Sequence, residues 1–557
     1  MAPGEALTND QLSIDELSNR YVEQMALLDP VLATSWGIPG GEHLLTDHSP
    51  TGSAARAALQ HETLVALDRV QRPNERDRIA AEVVRERMQS AVDLYDAGEY
   101  LRSLRVIGSP QGSLRSAFDL MRLNDDADWE VARARLAAVP QAIAQIRSLF
   151  DEGRGTGVIS PRRQVIACAT QCDTWGNPAD GFWVSFARRS PNVSLTEEAT
   201  AAAAAYRDLG DWLRAVYAPE SEPHDPVGRD RYQLFSRTMN GSILDLDETY
   251  AWGWEELRRI ELRMTEVAEQ LLPGASIAEA IAFVESDDRY VIEGVEEFQR
   301  WNQQLIDQTI ASLNGVHFEI AEPLRHCEAM IAPPGGAAAM YYTGPSEDFT
   351  RPGRTWYPTL GKTRFPLWRE VSICYHEGVP GHHLQIGQVR HLSGALTRFQ
   401  RLAGFTSGHA EGWALYAERL MQELGYLDDP VFELGLLSCQ AMRAVRVIVD
   451  IGMHLELPIP TDERFHPGET WTPELALPFV IERSRFPESF MASEVDRYLG
   501  WPAQAITYKV GERVWLASRA AAKMRHGASF NLKEFHRRAL DLGGMGLDQL
   551  RDELARL

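Results

Sequence analysis

Along most of this chain, apolar residues recur at intervals of three and four, the spacing of one face of a helix. Ser13-Ile-Asp-Glu16 has the form of a capping box and predicts a helix to about residue 29. The stretches 53–70, 73–98 and 127–151 are rich in Ala, Leu, Glu and Arg and predict further helices. A second box pattern, Ser194-Leu-Thr-Glu197, precedes the Ala-rich segment Ala199–Ala205. Helical spacing returns at 247–271, 276–284 and 290–313.

The pattern breaks over 314–365. Pro333-Pro334-Gly335-Gly336, Tyr341-Tyr342, Gly344-Pro345 and the run from Arg351 to Pro358 alternate chain breakers with β-formers. This predicts a loop with one or two short strands, and long irregular stretches inside enzymes are often functional. Helices are then expected at 366–378, 382–393, 407–424, 430–456, 473–486, 488–499, 502–525 and 530–556. The expected fold is mainly α with a short β element. The break near 314 is the one boundary the pattern suggests, between a helical region 1–313 and a second region 314–557 that reads equally as part of one continuous domain.

Composition narrows the function. A net charge of -23 over 557 residues repels phosphate backbones and anionic lipid heads, so neither nucleic acid nor membrane is an expected partner. Five cysteines at irregular spacing give no disulfide framework, and Cys168 and Cys172, four apart, read as helix core. Met1-Ala-Pro-Gly-Glu-Ala6 has neither a basic nor an apolar leader region, and no apolar run reaches the ~18 residues of a spanning helix. The expected location is cytoplasmic.

The chemistry concentrates in Tyr375-His376-Glu377-Gly378-Val379-Pro380-Gly381-His382-His383-Leu384-Gln385. Neutral imidazoles ligate zinc, and a Glu beside the first His can take a proton from a metal-activated water. In His-Glu-x-x-His helices the two ligands are four apart on one face. Here Pro380 occupies that fourth position. On an unbroken helix His382 would point roughly 240° from His376. Pro380 would clash with the His376 carbonyl, and Gly381 permits unusual dihedrals, so a kink is expected that loops out two residues and returns His382 to the metal. His383 is the alternative ligand.

Catalytic zinc keeps three protein ligands and an open position. Glu411, in Ser407-Gly-His-Ala-Glu411-Gly-Trp413-Ala-Leu-Tyr416-Ala-Glu418, is a carboxylate of the right kind on a following helix, although a Glu there also suits a solvated face. Arg443, Arg446, Asp450 and His454 fall within an arc of about 80° on an otherwise apolar helix. Such a stripe is either a set of surface salt bridges, a support for the metal site, or a carboxylate-binding site. Tyr508, in Tyr508-Lys-Val-Gly511, is by spacing alone a core residue, although a phenol near zinc can stabilise an oxyanion.

Together these blocks resemble the DUF885 family. Its His-Glu-x-x-Pro-Gly-His-His-x-Gln hallmark matches His376 to Gln385. Its Glu-Gly-Trp-Ala-Leu-Tyr-x-Glu block matches Glu411 to Glu418, its Val-Asp-x-Gly-x-His block Val449 to His454, and its Tyr-Lys-x-Gly block Tyr508 to Gly511. The motif match spans roughly residues 247–557. The family is similar to helical zinc peptidases whose third ligand is a glutamate, such as the M32 carboxypeptidases and angiotensin-converting enzyme. That resemblance implies a gluzincin-like fold, His376, His382 and Glu411 as zinc ligands, Glu377 as general base, and Tyr508 as oxyanion donor. It implies supporting or substrate-binding roles for His383, Glu418, Arg446, Asp450 and His454. It also implies a strand beside the metal helix that holds a peptide, here Gly353-Arg-Thr-Trp356-Tyr357, where many members carry Gly-Thr-Phe-Tyr.

The function expected from this is hydrolysis of a peptide or other amide bond by zinc-activated water. Two other readings share the metal: an enzyme acting on one small amide-containing metabolite, and a helical binding protein with a structural ion. Glu377 argues against the last, because a closed structural site needs no base. Oligomeric state is not legible.

Overall fold

The computed structural model describes residues 12–332 and 339–557. The Met1–Ala6 segment and Pro333-Pro334-Gly335-Gly336 lie outside the described residues. The fold is mainly helical, and it divides into two units.

The first unit comprises the described part of Met1–Pro223 with Leu392–Phe405 and Gly543–Met545. Its opening helix, Ile14–Leu28, starts on the expected capping box: the Ser13 hydroxyl accepts from the Glu16 amide, and the Glu16 carboxylate accepts from the Ser13 amide. The 127–151 stretch forms two helices, Asp126–Ala137 and Val139–Thr156, with Pro140 in the first turn of the second, where a missing N–H costs least. The expected box at Ser194 does not form. Leu195 takes the N-cap position of Thr196–Trp212 without a side-chain cap, and its burial in the core sets where the helix begins. Ala199, Ala202 and Ala203 line that helix's buried face. A Cβ on Gly176 would lie 2.8 Å from the Ala203 carbonyl, so the helix Arg162–Gly176 approaches at backbone distance. Cys168 and Cys172 sit buried in this packing.

The second unit comprises His224–His391, Thr406–Leu542 and Gly546–Leu557. The division therefore falls at Pro223/His224. Residue 314 lies inside the second unit and marks a change of secondary structure, not of packing unit. The expected helix from 290 starts late: Val291–Glu293 is a strand paired antiparallel with Arg364–Pro366, and Gly294, at φ +93°, turns the chain into the helix Val295–Leu313.

The 314–365 stretch holds three strands that form one sheet, in the order Cys327–Ile331, Gly353–Tyr357, Tyr341–Thr343. The first pair is parallel, Cys327 opposite Gly353, and the second antiparallel, Tyr341 opposite Trp356. Helices follow. Pro430–Leu455 is the central one, every residue from Glu433 to His454 being buried. The 530–556 pattern forms two helices, Leu532–Asp541 and Leu547–Leu554. No described helix is long and apolar enough to cross a membrane. All five cysteines are free and buried.

Candidate metal centre

The kink expected at Pro380 is a full break. One helix, Glu370–Glu377, ends on Glu377, and the next, His382–His391, begins on His382. Between them the Gly381 amide donates to the Tyr375 carbonyl and the His383 amide to the Gly378 carbonyl, both at 3.0 Å. A Cβ on Gly381 would fall 1.9 Å from the His376 carbonyl oxygen, so only glycine permits the turn. The Trp413 indole N–H donates to the Pro380 carbonyl at 2.8 Å and ties the turn to the following helix, Ser407–Glu423.

This break places the His376 and His382 rings edge to face with centroids 4.8 Å apart. Glu411, on Ser407–Glu423, completes the group. Its Oε2 lies 3.3 Å from Nε2 of His376 and 3.3 Å from Nε2 of His382. One donor atom from each of the three lies within 4.8 Å of the other two. Zinc bonds of about 2.0–2.1 Å at tetrahedral angles separate ligand atoms by roughly 3.3 Å. The two measured edges have that length, and two imidazoles with one carboxylate are a zinc donor set.

The surroundings orient these donors. Glu418 Oε1 lies 2.7 Å from His376 Nδ1 and accepts its hydrogen, which fixes the ring with Nε2 facing Glu411. Glu418 also accepts from the Ser372 hydroxyl at 2.7 Å and pairs with Arg443 at 3.5 Å. Burial alone would push the Glu418 carboxyl up, but Arg443 and His376 hold it below its usual value. Burial likewise opposes the Glu411 carboxylate and is outweighed by His382 and His376, which hold it well below the carboxylate range. For His376, burial disfavours the imidazolium, yet the bonds to Glu411 and Glu418 lift its pKa to about 9. Glu377 behaves oppositely. Burial raises its pKa, and its Oε2 has no hydrogen-bond partner.

His383 does not join the group. Its Nε2 lies 2.9 Å from the Leu324 carbonyl and its Nδ1 3.0 Å from the Tyr342 hydroxyl, and burial depresses its pKa to about 4. It is a neutral ring that fastens the start of the second helix to the sheet. A Cβ on Gly353 would lie 2.3 Å from the Tyr342 hydroxyl, so the glycine of the central strand makes room for this contact. Tyr342, whose ring also stacks at 6.4 Å on His382, is the neighbour that sequence reasoning missed. The Tyr341-Tyr342 pair in a strand of three residues was its only signal.

Tyr508 arrives on the helix Thr507–His526 and stacks on His376, centroids 6.1 Å apart. Its placement follows from two glycines. A Cβ on Gly412 would lie 2.4 Å from Gly511 Cα, so the two helices touch backbone to backbone, one residue from Glu411 and three from Tyr508. Arg446 and Arg443 lie over the Tyr508 ring with Cζ at 4.6 and 5.9 Å. The polar stripe of the central helix is thus buried, not a surface ladder.

Asp450 and His454, at the stripe's far end, hold structure elsewhere. Asp450 accepts from the Tyr232 hydroxyl at 2.5 Å and the Ala503 amide at 2.9 Å, and His454 Nε2 lies 3.0 Å from the Tyr498 carbonyl. The strand expected to hold a peptide is also corrected. Gly353–Tyr357 is the central strand, its two edges already paired, so it offers no ladder to an extended substrate. Trp356 donates to Thr343 at 2.8 Å and stacks on Tyr341, while Tyr357 packs against Phe298.

Comparison with known proteins adds fold and family. The family described as "Bacterial protein of unknown function (DUF885)" matches residues 30–554. No curated protein matches. A crystal structure titled as a "putative lipoprotein" from Colwellia psychrerythraea superposes with a TM-score of 0.83 at 21% identity, covering 98% of this chain and 99% of that one. A "putative lipoprotein of unknown function" from Shewanella oneidensis superposes at 0.70 and 17% identity, covering 98% and 100%.

Proposed function

The chain belongs to the DUF885 family, and on that footing we propose that it is a zinc-dependent hydrolase of peptide or related amide bonds, with a fold of the helical glutamate-zinc peptidase type. The observation that carries the reading is the group His376, His382 and Glu411 with its tetrahedral-edge spacings, beside a buried carboxylate oxygen of Glu377 that has no other partner. His376 and His382, through Nε2, and Glu411, through Oε2, would hold the ion. Bound there, zinc would supply a Lewis acid that polarises a carbonyl and acidifies water.

The protein's own groups do the rest. Glu377 Oε2 accepts a proton from the attacking water and passes it to the leaving amine. Its raised pKa brings it closer to neutral pH, where a base serves both directions. Glu418 fixes the His376 tautomer, and Ser372 and Arg443 fix Glu418. Tyr508 donates its hydroxyl to the oxygen that gains charge. Five buried free thiols suit a reducing compartment, and we propose a cytoplasmic location.

The test is elemental analysis with a peptide-library digest. About one zinc per chain, and cleavage that a strong chelator abolishes and added zinc restores, is the expected result. A metal-free protein, or cleavage indifferent to the chelator, overturns the proposal.

A further inference from the structure

Behind Tyr508 lies a cluster of buried guanidiniums. Arg443, Arg446 and Arg497 are all buried, and the carboxylates they reach are Glu418 and Glu494. Glu418 is occupied by Arg443, His376 and Ser372. Glu494 is shared: Arg446 Nη2 donates to it at 2.6 Å, Arg497 at 2.8 and 2.9 Å, and the Tyr498 hydroxyl at 2.9 Å. The three guanidiniums thus share two carboxylate partners, while the nearby Asp450 carboxyl, which feels Arg497, is taken up by the Tyr232 hydroxyl and the Ala503 amide.

Two of the three keep a buried donor without a partner, Arg443 at Nε and Arg446 at Nη1. Arg497 uses all three nitrogens, two on Glu494 and Nη1 on Gln504 Oε1. Arg446 uses two, Nε on the Tyr498 hydroxyl at 3.1 Å and Nη2 on Glu494. Its Nη1 is buried with no partner. That guanidinium lies 4.6 Å over the Tyr508 ring, and the same ring lies along His376 at 6.1 Å.

We infer that Arg446 Nη1 binds a substrate carboxylate, and that the substrates are peptides or acylated amino acids carrying a free carboxylate close to the scissile amide. The inference rests on the hydrolase reading for the position of that amide. A guanidinium presents N–H donors in a plane that suits a carboxylate, and Arg446 Nη1 has a donor free for one. A carboxamide in its place neutralises nothing.

The test compares short N-blocked peptides with a free C-terminal carboxylate and the same peptides amidated, on zinc-loaded protein, by turnover and by calorimetry. The free acids are expected to win by about tenfold or more, the range of a hydrogen bond to a charged group. Arg446→Met should abolish the preference at unchanged zinc content. Arg446→Lys, which retains the charge without the planar fork, serves if the Met variant does not fold and should also lose most of the preference. Equal affinity for acid and amide in the wild type overturns the inference. So does a preference that survives in the Arg446 variants, because the carboxylate then sits elsewhere, the ion included. If no peptide is cleaved and yet the acids bind through Arg446, the hydrolase reading fails while the carboxylate site stands.

Discussion

Replacing each of the two adjacent histidines by alanine separates a ligand from a fastener. His382 contributes one of three donors. Zinc binding to four-ligand structural sites is worth about 10–16 kcal/mol, so one ligand carries roughly 3–4 kcal/mol, more than a hundredfold in affinity. His382→Ala should therefore elute from desalting with little metal. His383→Ala leaves the three donors in place and removes the ring between the Leu324 carbonyl and the Tyr342 hydroxyl. Each buried partner left without a bond costs about 1–3 kcal/mol, so Tm should fall on the order of 10 °C. Zinc affinity should fall only by roughly 10–100-fold, as when a supporting group is lost. Plasma mass spectrometry of the purified variants, zinc titration against a chelating dye, and thermal melts give the three quantities. A His383→Ala protein without zinc beside a His382→Ala protein that keeps it refutes the register drawn through the break.

Glu377→Gln should retain zinc and lose about 10²–10⁴-fold in kcat, because the amide cannot accept the water's proton; near wild-type turnover removes Glu377 from the mechanism. Gly412→Ala, with a Cβ 2.4 Å from Gly511 Cα, should force the two helices apart and cost about 1–3 kcal/mol or more. Melts and zinc titration should both show the loss, and an unchanged Tm contradicts the close packing. Burial raises the Asp450 carboxyl to about 7, above its unfolded value of 3.8, so its contribution to stability is full below pH 4 and is lost as pH rises through 7. Asp450→Asn lacks this term, so relative to wild type the variant should gain roughly 2–3 kcal/mol between pH 5 and pH 8 in denaturant titrations. A constant difference across that range rules the assignment out.

Much of the second unit was legible, because its signals are local. Pro380 and Gly381 announce the break, and a two-residue loop-out is enough to select His382 over His383. The long helices after it show their periodicity within one to five residues of their ends. The central helix could be placed, but whether its polar stripe faced water or protein could not be read. That depends on Glu494, Tyr498 and Tyr508, which pair with it from about 50 residues away. The sheet was underestimated for a related reason. A strand as short as Tyr341–Thr343 has no period to detect, so neither Tyr342 nor the central position of Gly353–Tyr357 showed in the pattern. At Ser194 local chemistry pointed to a cap and a buried Leu195 prevailed, a case of tertiary packing overriding a terminus signal.

Glu411, Gly412 and Trp413 are consecutive, and each meets a different neighbour: the imidazoles, the backbone at Gly511, and the Pro380 carbonyl. Successive residues of a helix point about 100° apart, so three in a row sweep most of its circumference. The helix therefore works as a keyed shaft, fixed in rotation and in height at once. One residue inserted between Thr406 and Glu411 would turn all three keys together, while the lettering of every motif stayed intact. A relative with all the motif residues and a one-residue length change at that point should be inert toward metal.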